Sequence, residues 1–361
     1  MCLNTSLSDA LLSGPLMLAK KTVKAKILEL RKGKKQLLEE EYQNYQRYLR
    51  GDRDGIKLYS ATKQQADRFL MRLRRQNGGL LDTTRDYPLI LRNDTYDIRK
   101  EDTKLTPYWI RIPITGKRSG INCPIALSSE IPEGAKTREA KIIRKGEEWY
   151  VYITIEKVVQ ERRTDSLLAV DMGIRNIATT VNSKDPKPKF YGKELRQIRG
   201  HFYNLRKALQ KKKAYGAVKK IGNRERKVVD SILHTISRRI VDEADKKNST
   251  IVLGDLKGIR ANRGDRSFNR RLNSFPFYRL AKFIEYKASW LGIPVIKVNE
   301  AHTSQRCHNC GMRGLQVGGC FKCNSCDHEY NADYNGAYNI LKRAMGYISM
   351  AGAALAQPVT R

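Results

Sequence analysis

Hydrophobic positions change their spacing several times along this chain. The basic run Lys20-Lys21-Thr22-Val23-Lys24-Ala25-Lys26-Ile27-Leu28 has an extended pattern. From Gly33 to Gln76 the period becomes helical, with Leu37, Leu38, Tyr42, Tyr45 and Leu49 followed by Phe69, Leu70 and Leu73. Between Tyr87 and Val158 the pattern shortens again, to Pro88–Leu91, Tyr108–Ile112 and Glu148–Ile155, alternating and rich in aromatics as strands are. These segments predict a β module over 1–30 and 86–160, a small sheet or barrel, interrupted by a helical insertion over 31–85. Trp109, Trp149, Tyr150 and Tyr152 are expected to serve in core and cross-strand packing.

From Ser166 onward strands and helices mix. Leu167-Leu168-Ala169-Val170-Asp171 is a buried-strand pattern that ends in a carboxylate before a glycine turn. Thr179–Val181 and Lys189–Tyr191 continue as second and third strands. Two helices follow, the first carrying the basic run from Arg206 to Lys227 and the second placing Ile232, Leu233, Ile236, Ile240 and Ala244 on one face. Thr250–Leu253 forms a fourth strand. A helix begins near Ser274 with Pro276 in its first turn and stops at Gly292. Pro294–Glu300 gives a fifth strand, and Asn331-Ala332-Asp333 opens a last helix with Ala337, Ile340, Leu341 and Ala344 inward. Residues 346–361 are expected to form a disordered tail.

Charge then narrows the class. Lysine and arginine total 70 against 37 acidic residues, a net charge of +33 over 361 residues. Such an excess needs a polyanionic partner, because every phosphate neutralised releases condensed counterions. No stretch approaches the roughly 18 apolar residues of a spanning helix. With no lipidation signal, nucleic acid is favoured over a membrane surface. The expected compartment is the cytoplasm, nucleoid-associated in a prokaryote. Ten basic residues crowd one region, and they are expected to line a duplex: Arg206, Lys207, Lys211, Lys212, Lys213, Lys219, Lys220, Arg224, Arg226 and Lys227.

Four of the seven cysteines fall as Cys307-x2-Cys310 and Cys323-x2-Cys326, separated by twelve residues. Two tight turns at that spacing present four thiolates to one tetrahedral Zn²⁺. A zinc ribbon over 301–327 is therefore expected, with the metal supplying folding free energy. Cys320 is read as a bystander, and His308 and His328 as surface residues.

Asp171 in VDMGIRNIATT (170–180), the strand IVLGDL (251–256), AHTSQRCHNCG (301–311) and Asp333 in NADYNGAYNIL (331–341) together resemble the split RuvC domain of TnpB proteins, transposon-encoded relatives of type V CRISPR effectors. The resemblance implies an α/β plus β chain: an RNase H-like (RuvC) nuclease domain over 165–300 and 328–345 with the inserted zinc ribbon, preceded by a β-barrel wedge module carrying the helical recognition insertion. It implies an RNA-guided DNA endonuclease with guide RNA and target double-stranded DNA as partners. Cleavage beside a short adjacent motif would use Mg²⁺ held by Asp171, Asp333 and a third carboxylate. The sequence carries no signal of oligomeric state.

The third carboxylate is the difficulty. Where the family pattern has a glutamate, this chain has Gly254. Asp255 is adjacent, but strand alternation turns it to the other face. An RNase H-like sheet orders its strands 3-2-1-4-5, which sets Glu300 on strand five beside Gly254 on strand four, and some relatives, including eukaryotic Fanzor proteins, show a glutamate relocated in this way. The expected site is therefore Asp171, Glu300 and Asp333. Two alternatives stand beside it: a nuclease-dead, RNA-guided DNA-binding repressor with Glu300 idle, and an RNA-independent resolvase-type nuclease or zinc-ribbon DNA binder.

Overall fold

A computed structural model describes residues 14–77, 82, 85–101, 103–255 and 266–355, and divides the chain into two compact units. One runs from Leu18 to Val158; the other takes up Val159 onward together with the segment before Leu18. Among the described residues no helix is long and apolar enough to cross a membrane.

The 18–158 unit carries a seven-stranded sheet. Its strands are β1 (Leu16–Ile27), β2 (Leu89–Leu91), β3 (Asp97–Lys100), β4 (Tyr108–Ile114), β5 (Lys117–Leu127), β6 (Lys136–Lys145) and β7 (Glu148–Gln160), in the order β2-β6-β7-β1-β5-β4-β3. Among the described residues β2 and β3 stand at the two ends of that order, so hydrogen bonding does not close the expected barrel. The predicted insertion is a helix pair between β1 and β2, α1 (Lys32–Leu49) and α2 (Ser60–Asn77). Helix α1 forms because Leu38, Tyr42, Tyr45 and Leu49 recur at helical spacing, and all four are buried. The Tyr42 ring meets Trp149 edge-on at 5.1 Å. Alternation along β7 turns Trp149, Val151 and Ile153 inward and leaves Tyr150 and Tyr152 half-exposed, where Lys24 and Lys145 lie against the Tyr150 ring. Trp149 is thus a core residue, while Tyr150 and Tyr152 lie in cross-strand pairs, opposite Ile143 and Lys141 of β6.

In the second unit β8 (Ser166–Asp171), β9 (Ala178–Asn182), β10 (Lys189–Tyr191), β11 (Ser249–Gly254) and β12 (Val295–Val298) form a sheet in the order β10-β9-β8-β11-β12. This is the anticipated 3-2-1-4-5 arrangement. β9 runs antiparallel to its neighbours β8 and β10, while β8, β11 and β12 run parallel. Parallel strands need cover on both faces, and the near-continuous apolar runs reflect it. Leu168, Val170, Ile251 and Leu253 pack against α4 (Tyr215–Lys246) and α6 (Phe277–Trp290). Leu167, Ala169, Val252 and Val298 face the opposite way, onto Ala337, Ile340, Leu341 and Ala344 of α7 (Ala332–Leu355).

Several boundaries differ from expectation. The basic run 206–227 is not one helix: α3 (Glu194–Lys211) ends in a turn, with Lys213 in the left-handed region at φ 55°, before α4 begins. A short helix, α5 (Arg266–Ser274), has no counterpart in the hydrophobic pattern, since its sequence is mostly polar. Helix α7 continues through 346–355, ten of the residues expected to be a disordered tail; residues 356–361 lie outside those described. The region expected to form the ribbon carries a three-stranded antiparallel sheet of β13 (Gly314–Val317), β14 (Cys320–Cys323) and β15 (Glu329–Asn331), the last strand lying beyond the expected end at 327. Gly318 and Gly319, at φ 61° and 94°, make the two-residue turn between β13 and β14 that only such backbone freedom allows.

Candidate functional site

Parallel register brings the carboxyl ends of three strands to one edge. Asp171 closes β8; Leu253 pairs with Val170 on one side and Lys297 on the other, and Gly254 pairs with Val298. Two residues beyond Val298, Glu300 returns over β11. A Cβ built on Gly254 would overlap the Glu300 Oε2 and stand 3.0 Å from its Cδ and 3.2 Å from its Cβ. The glutamate therefore fills the volume that any side chain at 254 would need.

Asp333 arrives from the other direction, in the first turn of α7. The Asn331 side chain caps that helix, its Oδ1 accepting from the backbone N–H groups of Asp333 (3.0 Å) and Tyr334 (3.2 Å). The helix N-terminus favours the negative charge held there. Asp333 Oδ2 accepts from Asn176 Nδ2 at 2.7 Å, and Asn176 is itself buried. Three residues along α7, Gly336 leaves room for Asp171: a Cβ there would lie 2.9 Å from the Asp171 Oδ2.

Asp171, Glu300 and Asp333 thus line one cavity of about 890 Å³, together with Asp255, Arg175 and Arg196. Desolvation pushes the Asp171 carboxyl up to about 8, and the Asp333 and Glu300 charges add to the shift. Three carboxylates facing one cavity offer the hard oxygen donors that a divalent cation takes, so the donor chemistry fits such an ion. The position of Asp255 corrects the expectation from alternation. β11 ends at Gly254, so the two-residue period no longer governs its neighbour, and Asp255 lines the same cavity.

The four cysteines converge as their spacing predicted. The ligand atoms of Cys307, Cys310, Cys323 and Cys326 all lie within 4.8 Å of one another. Sulfurs around a tetrahedral ion at about 2.3 Å stand roughly 3.8 Å apart, so this cluster can hold a metal ion. Backbone N–H groups of Ser325 and Cys326 lower the Cys323 thiol to about 6, which favours its thiolate. Cys320 is exposed and outside the cluster. His328 is exposed, but His308 is not a surface residue: it is half-buried among the rings of Tyr330, Tyr334 and Tyr338 and bonded to Asn335.

A TnpB-like protein of Methanocaldococcus jannaschii is 32% identical over 208 residues, a match covering 54% of this chain and 74% of that protein. The chain belongs to the TnpB-like family. Residues 277–340, from α6 through the cysteine cluster to the start of α7, match the Cas12f1-like TNB domain family. Similarity extends to the CRISPR-associated endodeoxyribonuclease Cas12f1 of Sulfoacidibacillus thermotolerans, at 34% identity over 213 residues. That match spans 53% of this chain and only 49% of the relative. A putative RNA-guided DNA endonuclease of Escherichia coli, InsQ, is 26% identical over 237 residues, covering 58% of this chain and 56% of its own length. Among solved structures, Cas12f1 in complex with sgRNA and target DNA superposes with a TM-score of 0.58 at 16% identity, over 85% of this chain and 81% of that one. The TnpB-like chain therefore has a Cas12/TnpB fold.

Several residues that hold this TnpB-like site together escaped the sequence reading. Asn335, Asn339 and Arg343 sit at i, i+4 and i+8 on α7 and fasten the segment that carries Glu300. Asn335 Nδ2 donates to Arg306 O (2.7 Å), and its Oδ1 accepts from His308 N (2.9 Å). Asn339 donates to Thr303 O (2.8 Å), while Arg343 donates to Ala301 O (2.6 Å) and to Asn299 O. The available signal was composition: asparagines are poor interior helix residues unless the side chain bonds elsewhere.

The basic run is only partly free for a ligand. Lys207, Lys211, Lys212, Lys213, Lys219, Lys220, Arg224, Arg226 and Lys227 are exposed on the α3–α4 hairpin. Arg206 is half-buried and paired with the buried Glu225, which also binds Arg199 at 3.1 Å. Its first role is to clamp α3 to α4.

Proposed function

We propose that this chain is an RNA-guided DNA endonuclease whose RuvC-type, RNase H-like domain cuts target DNA beside a short adjacent motif. The observation that carries the reading is Glu300 lying over Gly254, convergent with Asp171 and Asp333. An idle surface glutamate has no reason to fill the one vacancy that the family pattern leaves. Asp171, Glu300 and Asp333 would hold Mg²⁺, which when bound supplies Lewis acidity and an activated water. The chain's own residues do the positioning. Asn176 fixes one Asp333 oxygen, the small size of Gly336 admits Asp171, and Asn339 with Arg343 anchors the turn after Glu300.

The remaining parts take roles consistent with that activity. The cysteine cluster is proposed as a structural zinc ribbon, since four thiolates leave no open position for chemistry. The β module, as the wedge, and the α1–α2 insertion, as the recognition element, would engage guide RNA; the half-exposed Tyr150 and Tyr152 beside Lys24 and Lys145 suit stacking and phosphate contact. The exposed cations of the α3–α4 hairpin suit the backbone of a guide–target heteroduplex. Similarity to Cas12f1 and InsQ, described as an endodeoxyribonuclease and a putative RNA-guided DNA endonuclease, supports the same reading.

The deciding experiment purifies the chain with its co-purifying RNA and presents a matched target library with Mg²⁺. Cleavage by the native chain, lost in Glu300→Ala while guided DNA binding persists, is the expected result. Guided binding without cleavage by the native chain would instead support the repressor.

A further inference from the structure

Arg196 belongs to two cavities. It lines the carboxylate pocket, and it also lines a smaller one of about 190 Å³ enclosed by α3 and the α5 end. That notch is built from a stripe on α3, Arg196, Arg199, Tyr203 and Arg206, faced by Arg270 of α5. Four guanidinium groups meet there against one carboxylate, Glu225, which is already shared between Arg199 and Arg206. Arg199 also donates to Ser274 O at 2.7 Å, and its buried Nε finds no hydrogen-bond partner. Burial, then the charges of Arg206 and Arg279, hold Arg199 below the usual guanidinium range. Among the described residues Arg196 and Arg270 have no acidic partner, and the Arg270 guanidinium lies over the Tyr203 ring at 4.0 Å.

A protein gains nothing for its own folding from leaving several positive charges together, one of them partly buried and under-bonded. The arrangement offers two contacts that a nucleic-acid strand needs: guanidinium forks for phosphate oxygens and a planar aromatic–guanidinium pair for a base. The notch is too narrow for a duplex, and its shared residue opens onto the carboxylates. We propose that the Arg196–Tyr203–Arg270 notch is a seat for single-stranded DNA, which holds the strand next to the segment lying over Asp171, Glu300 and Asp333. This assignment rests on the nuclease reading for its choice of strand, but the binding it describes is measurable without cleavage. Arg196 and Arg270 take backbone phosphates, Tyr203 with Arg270 takes a base, and Arg199 and Arg206 keep the notch cationic while bracing α3.

The test uses the full chain carrying Asp171→Ala, so that a bound strand is not cut. Affinity for a short fluorescent oligothymidylate is measured against salt concentration. Arg196→Gln with Arg270→Gln is expected to lower the slope of log affinity against log salt by roughly 1.4, about 0.7 for each of two single-strand phosphate contacts. Both side chains are exposed, so the fold is retained. Tyr203→Ala should weaken binding with the slope unchanged. Lys212→Gln with Lys213→Gln, on the neighbouring hairpin, is the matched control. An unmoved slope in the arginine pair, or an equal drop in the lysine pair, overturns the proposal. If the native chain fails to cleave while the arginine pair still lowers the slope, the nuclease reading fails and the strand seat stands.

Discussion

The Glu300 carboxylate occupies the space in front of Gly254. Gly254 ends β11 and Glu300 follows two residues after the neighbouring parallel strand β12, and one acidic side chain already fills the space between them. A glutamate placed at 254 while Glu300 remains would force two carboxylates into one volume. Gly254→Glu alone is therefore expected to abolish cleavage and to lower the melting temperature. Combined with Glu300→Ala it should restore part of the Mg²⁺-dependent activity that Glu300→Ala loses. Cleavage rates of the three variants on one matched target decide it, and a double variant no better than Glu300→Ala would refute a shared site.

Gly336 tests the same geometry from the helix side. A methyl group there would approach the Asp171 Oδ2 to 2.9 Å, closer than such contacts allow. Gly336→Ala raises intrinsic helix propensity by about 0.5–1 kcal/mol, so a simple helix residue would become more stable on substitution. The expected outcome is the opposite for function: a lower cleavage rate and weaker metal activation, from displacement of Asp171. A Mg²⁺ titration of activity, set beside thermal unfolding, separates the two effects.

Asn335 is fully buried and links two backbone groups of the segment after Glu300. Asn335→Ala removes the acceptor of the His308 amide, while the Arg306 carbonyl keeps its Asn339 donor, a cost of about 1–3 kcal/mol. Denaturant unfolding should register that loss. Asn335→Asp keeps an acceptor for His308 but sets a buried carboxylate oxygen against the Arg306 carbonyl, so it should destabilise at least as much as Asn335→Ala.

The carboxylate cluster gives a pH prediction. Asp171 carries a folded-state value of about 8 against an ordinary 3.8, because desolvation and its two acidic neighbours oppose its charge. Between those values the folded chain holds a proton that the unfolded chain has released, so stability falls as pH rises from about 4 to about 8. Metal-free Asp171→Asn should match the native chain near pH 4 and exceed it at pH 8. Added Mg²⁺ should stabilise the native chain at pH 8 and leave Asp171→Asn nearly unchanged. Thermal melts at both pH values, with and without metal, check the sign.

The thiolate cluster predicts one tightly held Zn²⁺ per chain. Stripping it with a chelator, or Cys323→Ser, is expected to unfold the β13–β15 ribbon and, through His308 and Asn335, to loosen the Glu300 segment. Metal analysis with limited proteolysis between 301 and 331 reads both effects.

Sequence alone determined much of this protein, wherever a local pattern carries its own physical reason. Paired Cys-x2-Cys spacing fixes a four-thiolate cluster because each turn must present both sulfurs to one point. Apolar runs at Leu167–Val170 and Ile251–Leu253 specify strands covered on both faces, and Tyr42, Tyr45 and Leu49 specify the buried face of α1. Tertiary structure decided what depends on distance across the chain. That Asp255 lines the pocket, that Arg206 is engaged by Glu225, and that Asn335 and Asn339 fasten the Glu300 segment are consequences of strand ends and helix faces meeting, with no periodicity to announce them. Gly254 belongs to both. Its lack of a side chain is written in the sequence, but only the parallel pairing of β11 with β12 puts the Glu300 carboxylate where that side chain would have been.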